Sequence, residues 1–111
     1  MPEPRLASGI WVGAYLRRLQ AEGIAVYVLA RGDATAGAVL IKCATLDGQA
    51  KAFQRSYDLM SGARVWVILS EGEEQAVDAA VASQRRTDPD LWVIEVEDRH
   101  GRHLLDRAEF A

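Results

Sequence analysis

The chain reads as an α+β domain: two helices with a mixed, mostly antiparallel sheet of about five strands, in the order α-β-β-β-β-α-β(-β). Three observations predict it. Apolar residues recur at helical spacing in two separated segments. Between them lie four runs rich in β-branched and aromatic residues, punctuated by Gly and Asp turn signals. The second helical segment joins two strand-like runs, and such a crossover leaves the two strands parallel.

The elements follow in order. Residues 1–7 hold two prolines and no periodicity, and read as a loose arm ahead of a single domain over 8–111. Ser8 is placed to cap a helix from Gly9 to Glu22, which Gly23 ends. Trp11, Val12, Tyr15, Leu16 and Leu19 form its apolar face. Gly13, mid-helix, predicts close packing against a strand. Ile24–Arg31 is the first strand and Ala38–Ala44 the second, with Asp47-Gly48 as a hairpin turn. The more polar Gln49–Tyr57 suits an edge strand. Arg64–Leu69 is the fourth.

Ser70-Glu71-Gly72-Glu73 fits a capping box opening the second helix, which runs to Arg86 with Ala76, Val77, Ala80 and Val81 inward. Asp88-Pro89-Asp90 stops it. Leu91–Asp98 is the fifth strand. Arg102–Leu105 is expected to pair back as a short sixth. The first four strands are expected to form a meander, and the fifth to lie parallel to the fourth.

Size and charge exclude several classes. A chain of 111 residues with 50% hydrophobic residues forms one core without staples. The net charge of −3 disfavours nucleic acid as a partner. The single cysteine, Cys43, excludes an internal disulfide and a CxxC metal site, and reads as an inert buried thiol. MPEPRLASG has no apolar leader core, and no apolar run reaches the ~18 residues of a membrane span. A soluble cytoplasmic protein without a cofactor is expected.

Alternation along the strands puts apolar side chains on both faces of the sheet. Two helices cover both faces if they lie on opposite sides, which gives a monomer. If both lie on one side, the bare face needs a partner, and a homodimer anchored by Trp66 or Trp92 is expected.

The stretch DPDLWVIEVEDRHGRH (88–103) is the densest in chemistry-bearing side chains. Glu95 and Glu97 share a strand face about 6.5–7 Å apart. With His100 and His103 beside the turn they make a candidate divalent-metal or acid–base cluster. The plain alternative is a solvated strand end whose carboxylates pair with Arg99 and Arg102. Arg17 and Arg18 with Arg85 and Arg86 form a candidate anion site. The element order is also similar to the core of restriction-endonuclease-like nucleases, whose acidic residue and Glu/Asp-x-Lys would match Asp33 or Asp47 with Gln49-Ala50-Lys51. Glutamine cannot supply the second charge. No P-loop, GxGxxG, GxSxG or HExxH is present.

Three segments together resemble the domain of unknown function 1491 family of small bacterial proteins: IWVGAYLRRLQAEG (10–23), RGDATAGAVLIKCATLDG (31–48) and DPDLWVIEVEDRHGRHLLD (88–106). The resemblance spans most of the chain and implies no established activity, cofactor or catalytic residue. It marks Trp11, Tyr15, Arg17, Arg18, Asp88, Pro89, Asp90, Trp92, Glu95 and Asp98 as family-type positions. The function expected is a non-enzymatic self-association or protein-interaction module. The alternative is a metal-dependent hydrolase or nuclease using the acidic and histidine cluster.

Overall fold

The structure, a computed structural model, describes residues 6–111 and, at Tyr57, the backbone alone. Residues 1–5 of the expected arm lie outside the described residues. The elements are α1 (Ser8–Ala21), β1 (Ala25–Ala30), β2 (Val39–Ala44), β3 (Gln49–Tyr57), β4 (Arg64–Glu73), α2 (Glu74–Thr87), β5 (Trp92–Glu97) and a 3-10 turn at Ala108–Phe110. Two helices and a five-stranded mixed sheet make the expected α+β class.

The sheet order is β1-β5-β2-β3-β4. The meander therefore covers β2, β3 and β4 only. β5 enters between β1 and β2, antiparallel to the first and parallel to the second, and does not neighbour β4. Burial explains the insertion. Trp92, Val93, Ile94 and Val96 are all buried, so β5 belongs mid-sheet, while β1 is largely exposed and takes the edge. β3 is an inner strand and not an edge. Its polarity misleads because Ala50 and Ala52, both buried, are the small residues over which α2 packs.

The helices lie on opposite faces. Trp11, Val12, Tyr15 and Leu19 of α1 pack with Ile41, Cys43, Ile94 and Val96, and the segment Leu104–Phe110 joins this layer. Val77 and Val81 of α2 pack with Leu40, Ala44, Ala52 and Val93 on the other face. Ala76, expected inward, is exposed. Each face of the sheet thus has its own cover, and the geometry that called for a dimer across a bare face is not the one found. Trp92 is buried and Trp66 half-buried within the α1 layer.

Local details depart from expectation for identifiable reasons. Ser8 is the first helical residue rather than the cap, and its hydroxyl donates to the Gly37 carbonyl at 2.5 Å. α1 ends in a Schellman turn, with Gly23 (φ 74°) bonding Gln20 and Ile24 bonding Leu19. Gly13 is not pressed against a strand: an added Cβ would meet only an Arg17 guanidinium nitrogen, at 3.3 Å. The capping box over 70–73 does not form, because those residues continue β4 in register with Gln49–Ala52, and the ladder satisfies more backbone groups than a cap would. α2 starts at Glu74, whose N–H donates to Gly48 at 2.9 Å. Arg102–Leu105 forms no strand. Leu104 (φ 60°) and Leu105 are consecutive and both buried, which a strand's alternation forbids.

Candidate functional site

The two halves of the expected acidic and histidine cluster lie on opposite sides of the sheet. Glu95 stands beside Lys42 in the β2–β5 register, on the α2 face. His103 packs its ring on Phe53, 4.7 Å between centroids, in the α1 layer. The structure therefore does not bring Glu95 and Glu97 together with His100 and His103.

On the α2 face a different cluster forms. Lys42 is 2% exposed, and its ammonium lies 2.6 Å from Asp78, 2.7 Å from Glu74 and 2.7 Å from Glu95. Glu74 and Asp78 stand at i, i+4 in the first turns of α2, which places both over β2. Burial works to lower the Lys42 pKa, but the hydrogen bonds its ammonium donates to Asp78, Glu74 and Glu95 outweigh it and the net shift is upward. The three carboxylates are, among the described residues, the grouping close enough to share a metal ion, their ligating oxygens lying within 4.8 Å of one another. The lysine already fills the position a cation would take. A lysine inside the apolar run VLIKCA was the sequence signal for this centre, because a buried ammonium requires partners.

On the opposite face, Cys43, Thr45, Gln49, Ala50, Lys51, Phe53, Glu71, Gly72, His100, Gly101 and His103 line a cleft of about 580 Å³. It lies beyond the carboxyl ends of the parallel neighbours β2 and β5, whose chains leave in different directions: β2 by a hairpin to β3, β5 across the α1 layer. The His103 Nδ1 accepts the Leu105 N–H at 3.0 Å. Burial pushes its pKa down, Asp106 opposes that, and the Lys51 charge adds to it. Burial pushes the Cys43 thiol up to about 11, with Asp98 reinforcing it, so it stays protonated and unreactive at neutral pH.

The remaining candidates are structural in placement. Tyr15 is fully buried, and its hydroxyl donates to the His103 carbonyl at 2.7 Å. Trp11 stacks on Tyr15 and meets Trp66 at 5.8 Å between centroids, and the Arg55 guanidinium lies over both the Trp11 and Trp66 rings, at 4.9 and 4.6 Å. The Trp66 indole donates to the Phe110 carbonyl at 2.7 Å. Asp98, buried, accepts Arg102 through both carboxylate oxygens, and this pairing holds its carboxyl down at about 2. Asp88 accepts the Asp90 N–H in a turn at the end of α2.

The arginines do not converge. Arg18 pairs with Glu22 on α1, whereas Arg85 donates to the Arg31 carbonyl from α2 on the other face. Arg17 and Arg86 are exposed. The nuclease-like set is also dispersed. Asp47 accepts Thr45 and the Gln49 N–H within its turn, Asp33 caps Thr35 and Ala36 at the other end of β2, and Lys51 faces Glu71 at 3.8 Å. No helix among the described residues is long and apolar enough to cross a membrane.

A family model described as "Protein of unknown function (DUF1491)" matches residues 6–106. The crystal structure of a DUF1491 family protein from Caulobacter crescentus CB15 is 39% identical, with a TM-score of 0.84, covering 92% of this chain and 96% of that one. An NMR structure of a DUF1491 family protein from the same organism is 39% identical at TM-score 0.82, covering 94% and 96%. The solution structure of protein Atu0922 from A. tumefaciens is 28% identical at TM-score 0.70, covering 85% and 86%. None of the curated proteins matches the chain.

Proposed function

The chain belongs to the DUF1491 family, and from that starting point we propose that it is a non-enzymatic module that associates with a second copy of itself through the free edge of β1. One observation carries this reading. β1 is a terminal strand, Ala-Val-Tyr-Val-Leu-Ala, with no charge and no proline, and Tyr27, Val28 and Leu29 are 50%, 38% and 56% exposed. An unpaired, uncharged edge is a template for another strand, and natural sheets usually blunt such edges with charges, prolines or bulges. The other terminal strand, β4, is protected by charge: it carries Arg64, Glu71 and Glu73.

The register irregularity between Val28 and Ala30 ends the regular edge, so the pairing segment is Ala25–Val28 with Leu29 beside it. A twofold axis would set two such segments antiparallel, with Tyr27 of each copy packing across the axis. We place this module in the cytoplasm, in keeping with its single reduced thiol. A hydrolase centred on Glu95 is disfavoured, because Lys42 occupies its carboxylate.

Sedimentation or light scattering on the purified protein should give a dimer. Tyr27→Lys and Leu29→Lys, both at exposed positions, should each return a folded monomer. A wild-type chain that stays monomeric at high concentration, or a dimer indifferent to both substitutions, would refute the proposal.

A further inference from the structure

The cleft at the carboxyl ends of β2 and β5 takes no part in self-association at β1, and its chemistry is that of a binding site. At about 580 Å³ it falls within the size range of small-molecule sites. Its lining divides into two kinds of surface. Phe53, Cys43 and Ala50 supply an apolar wall, while Lys51, His100 and His103 bring hydrogen-bond donors to the same space. Gly72 and Gly101 line it without side chains.

The donors are set by their neighbours. Because the His103 Nδ1 accepts the Leu105 N–H, the neutral ring carries its proton on Nε2, leaving that N–H as a donor. Its ring is held against Phe53. Among the described residues Lys51 is held by one loose ion pair, Glu71 at 3.8 Å, with both side chains more than half exposed. Such a pair contributes little and yields readily to a better-placed anion. The cleft thus has a donor on each of two segments, an aromatic side chain in its lining, and a weak internal competitor.

We propose that this cleft binds a small organic anion, a carboxylate or phosphate monoester on a compact apolar body. The anionic group lies between the Lys51 ammonium and the His103 Nε2–H, and the body lies over Phe53. Glu71 is the gatekeeper, because it must release Lys51 when the ligand enters. Cys43 serves only as apolar surface.

The test is an amide NMR titration of the full chain with benzoate, phenyl phosphate, inorganic phosphate and benzyl alcohol. Benzoate or phenyl phosphate should give saturable shifts at Lys51, Gly72, Gly101 and His103, and which of the two binds tighter assigns the anionic group. Inorganic phosphate and benzyl alcohol, each carrying half of the pharmacophore, should bind at least about tenfold more weakly. Lys51→Met should abolish the shifts and Glu71→Gln should tighten binding; both positions are exposed, and the unperturbed amide spectrum of each variant reports that it is folded. Unsaturable shifts, shifts centred on Arg17 and Arg18, inorganic phosphate binding as well as phenyl phosphate, or binding unchanged in Lys51→Met would each overturn the assignment. Because the readout is local to the cleft, it is independent of whether the β1 edge dimerises.

Discussion

The indole nitrogen of Trp92 donates to the carbonyl of Asp33 at 2.8 Å, and this bond joins two segments 59 residues apart. The Asp33 N–H bonds the Asp90 carbonyl at 3.0 Å and the Trp92 N–H bonds the Ala38 carbonyl at 2.8 Å. Ser8 and Gly9 close the same joint through Thr35 and Ala34. The RGDATAG and DPDLW segments are therefore two sides of one backbone seam, which explains a family-type pattern there without invoking catalysis.

Gly32 and Gly37 belong to this seam for lack of room. A Cβ at Gly32 would collide with the Asp90 carbonyl and Trp92, and one at Gly37 with the Asp90 and Asp33 backbones. Gly32→Ala is expected to destabilise the fold by about 3 kcal/mol, since the obstruction is backbone and cannot swing away. Gly13→Ala should have the opposite sign, stabilising by about 0.5–1 kcal/mol, because only a flexible Arg17 tip stands near. Urea unfolding of the two variants compares them directly.

Lys42→Ala should cost about 3 kcal/mol at neutral pH, because three clustered carboxylates lose the ammonium that neutralises them. The same variant should acquire stabilisation by Mn²⁺ or Mg²⁺, since it empties a position surrounded by oxygen ligands. Wild type should show no shift in Tm with either ion. A wild-type response equal to the variant's would mean that the ammonium does not hold the site.

Asp98 should make stability fall in acid. Its folded carboxyl titrates at about 2 against an ordinary 3.8, so the unfolded chain takes up the proton first. The contribution is complete above about pH 4 and is lost as pH falls toward 2. Asp98→Asn should cost about 2 kcal/mol at pH 7 through the weakened Arg102 bonds, and should remove this part of the acid dependence. Denaturant midpoints measured from pH 7 to pH 2 on both proteins check the sign.

Tyr15→Phe keeps the ring contacts with Trp11 and Phe110 and deletes only the hydroxyl that serves the His103 carbonyl. A loss of about 1–2 kcal/mol is expected, the cost of a buried acceptor left unpaired. His103 should also titrate below its ordinary 6.5, because burial disfavours the charged ring. The fold then favours neutral His103, and this contribution, present above pH 6.5, is lost as pH falls through the lower folded value. Ring-proton NMR gives that value.

Period-2 alternation predicts Val26 and Val28 on one face of β1 and Tyr27 on the other, which matches their pairing with Val96, Ile94 and Glu95. It could not reveal that β5 would insert beside β1, since apolar content does not name a strand's neighbours. Glu95 and His103 looked like partners at eight residues' separation. Lys42, 53 residues away, is the true partner of Glu95.

Helical and strand periodicities, turn glycines and apolar runs act over a few residues, so the class of fold and most local states were legible along the chain. The sheet order, the placement of one helix on each face and the split of the charged cluster across the sheet emerge only when the elements pack. Those outcomes depend on which surfaces can be buried together and which charges can find partners once buried, and that is a property of the packed whole.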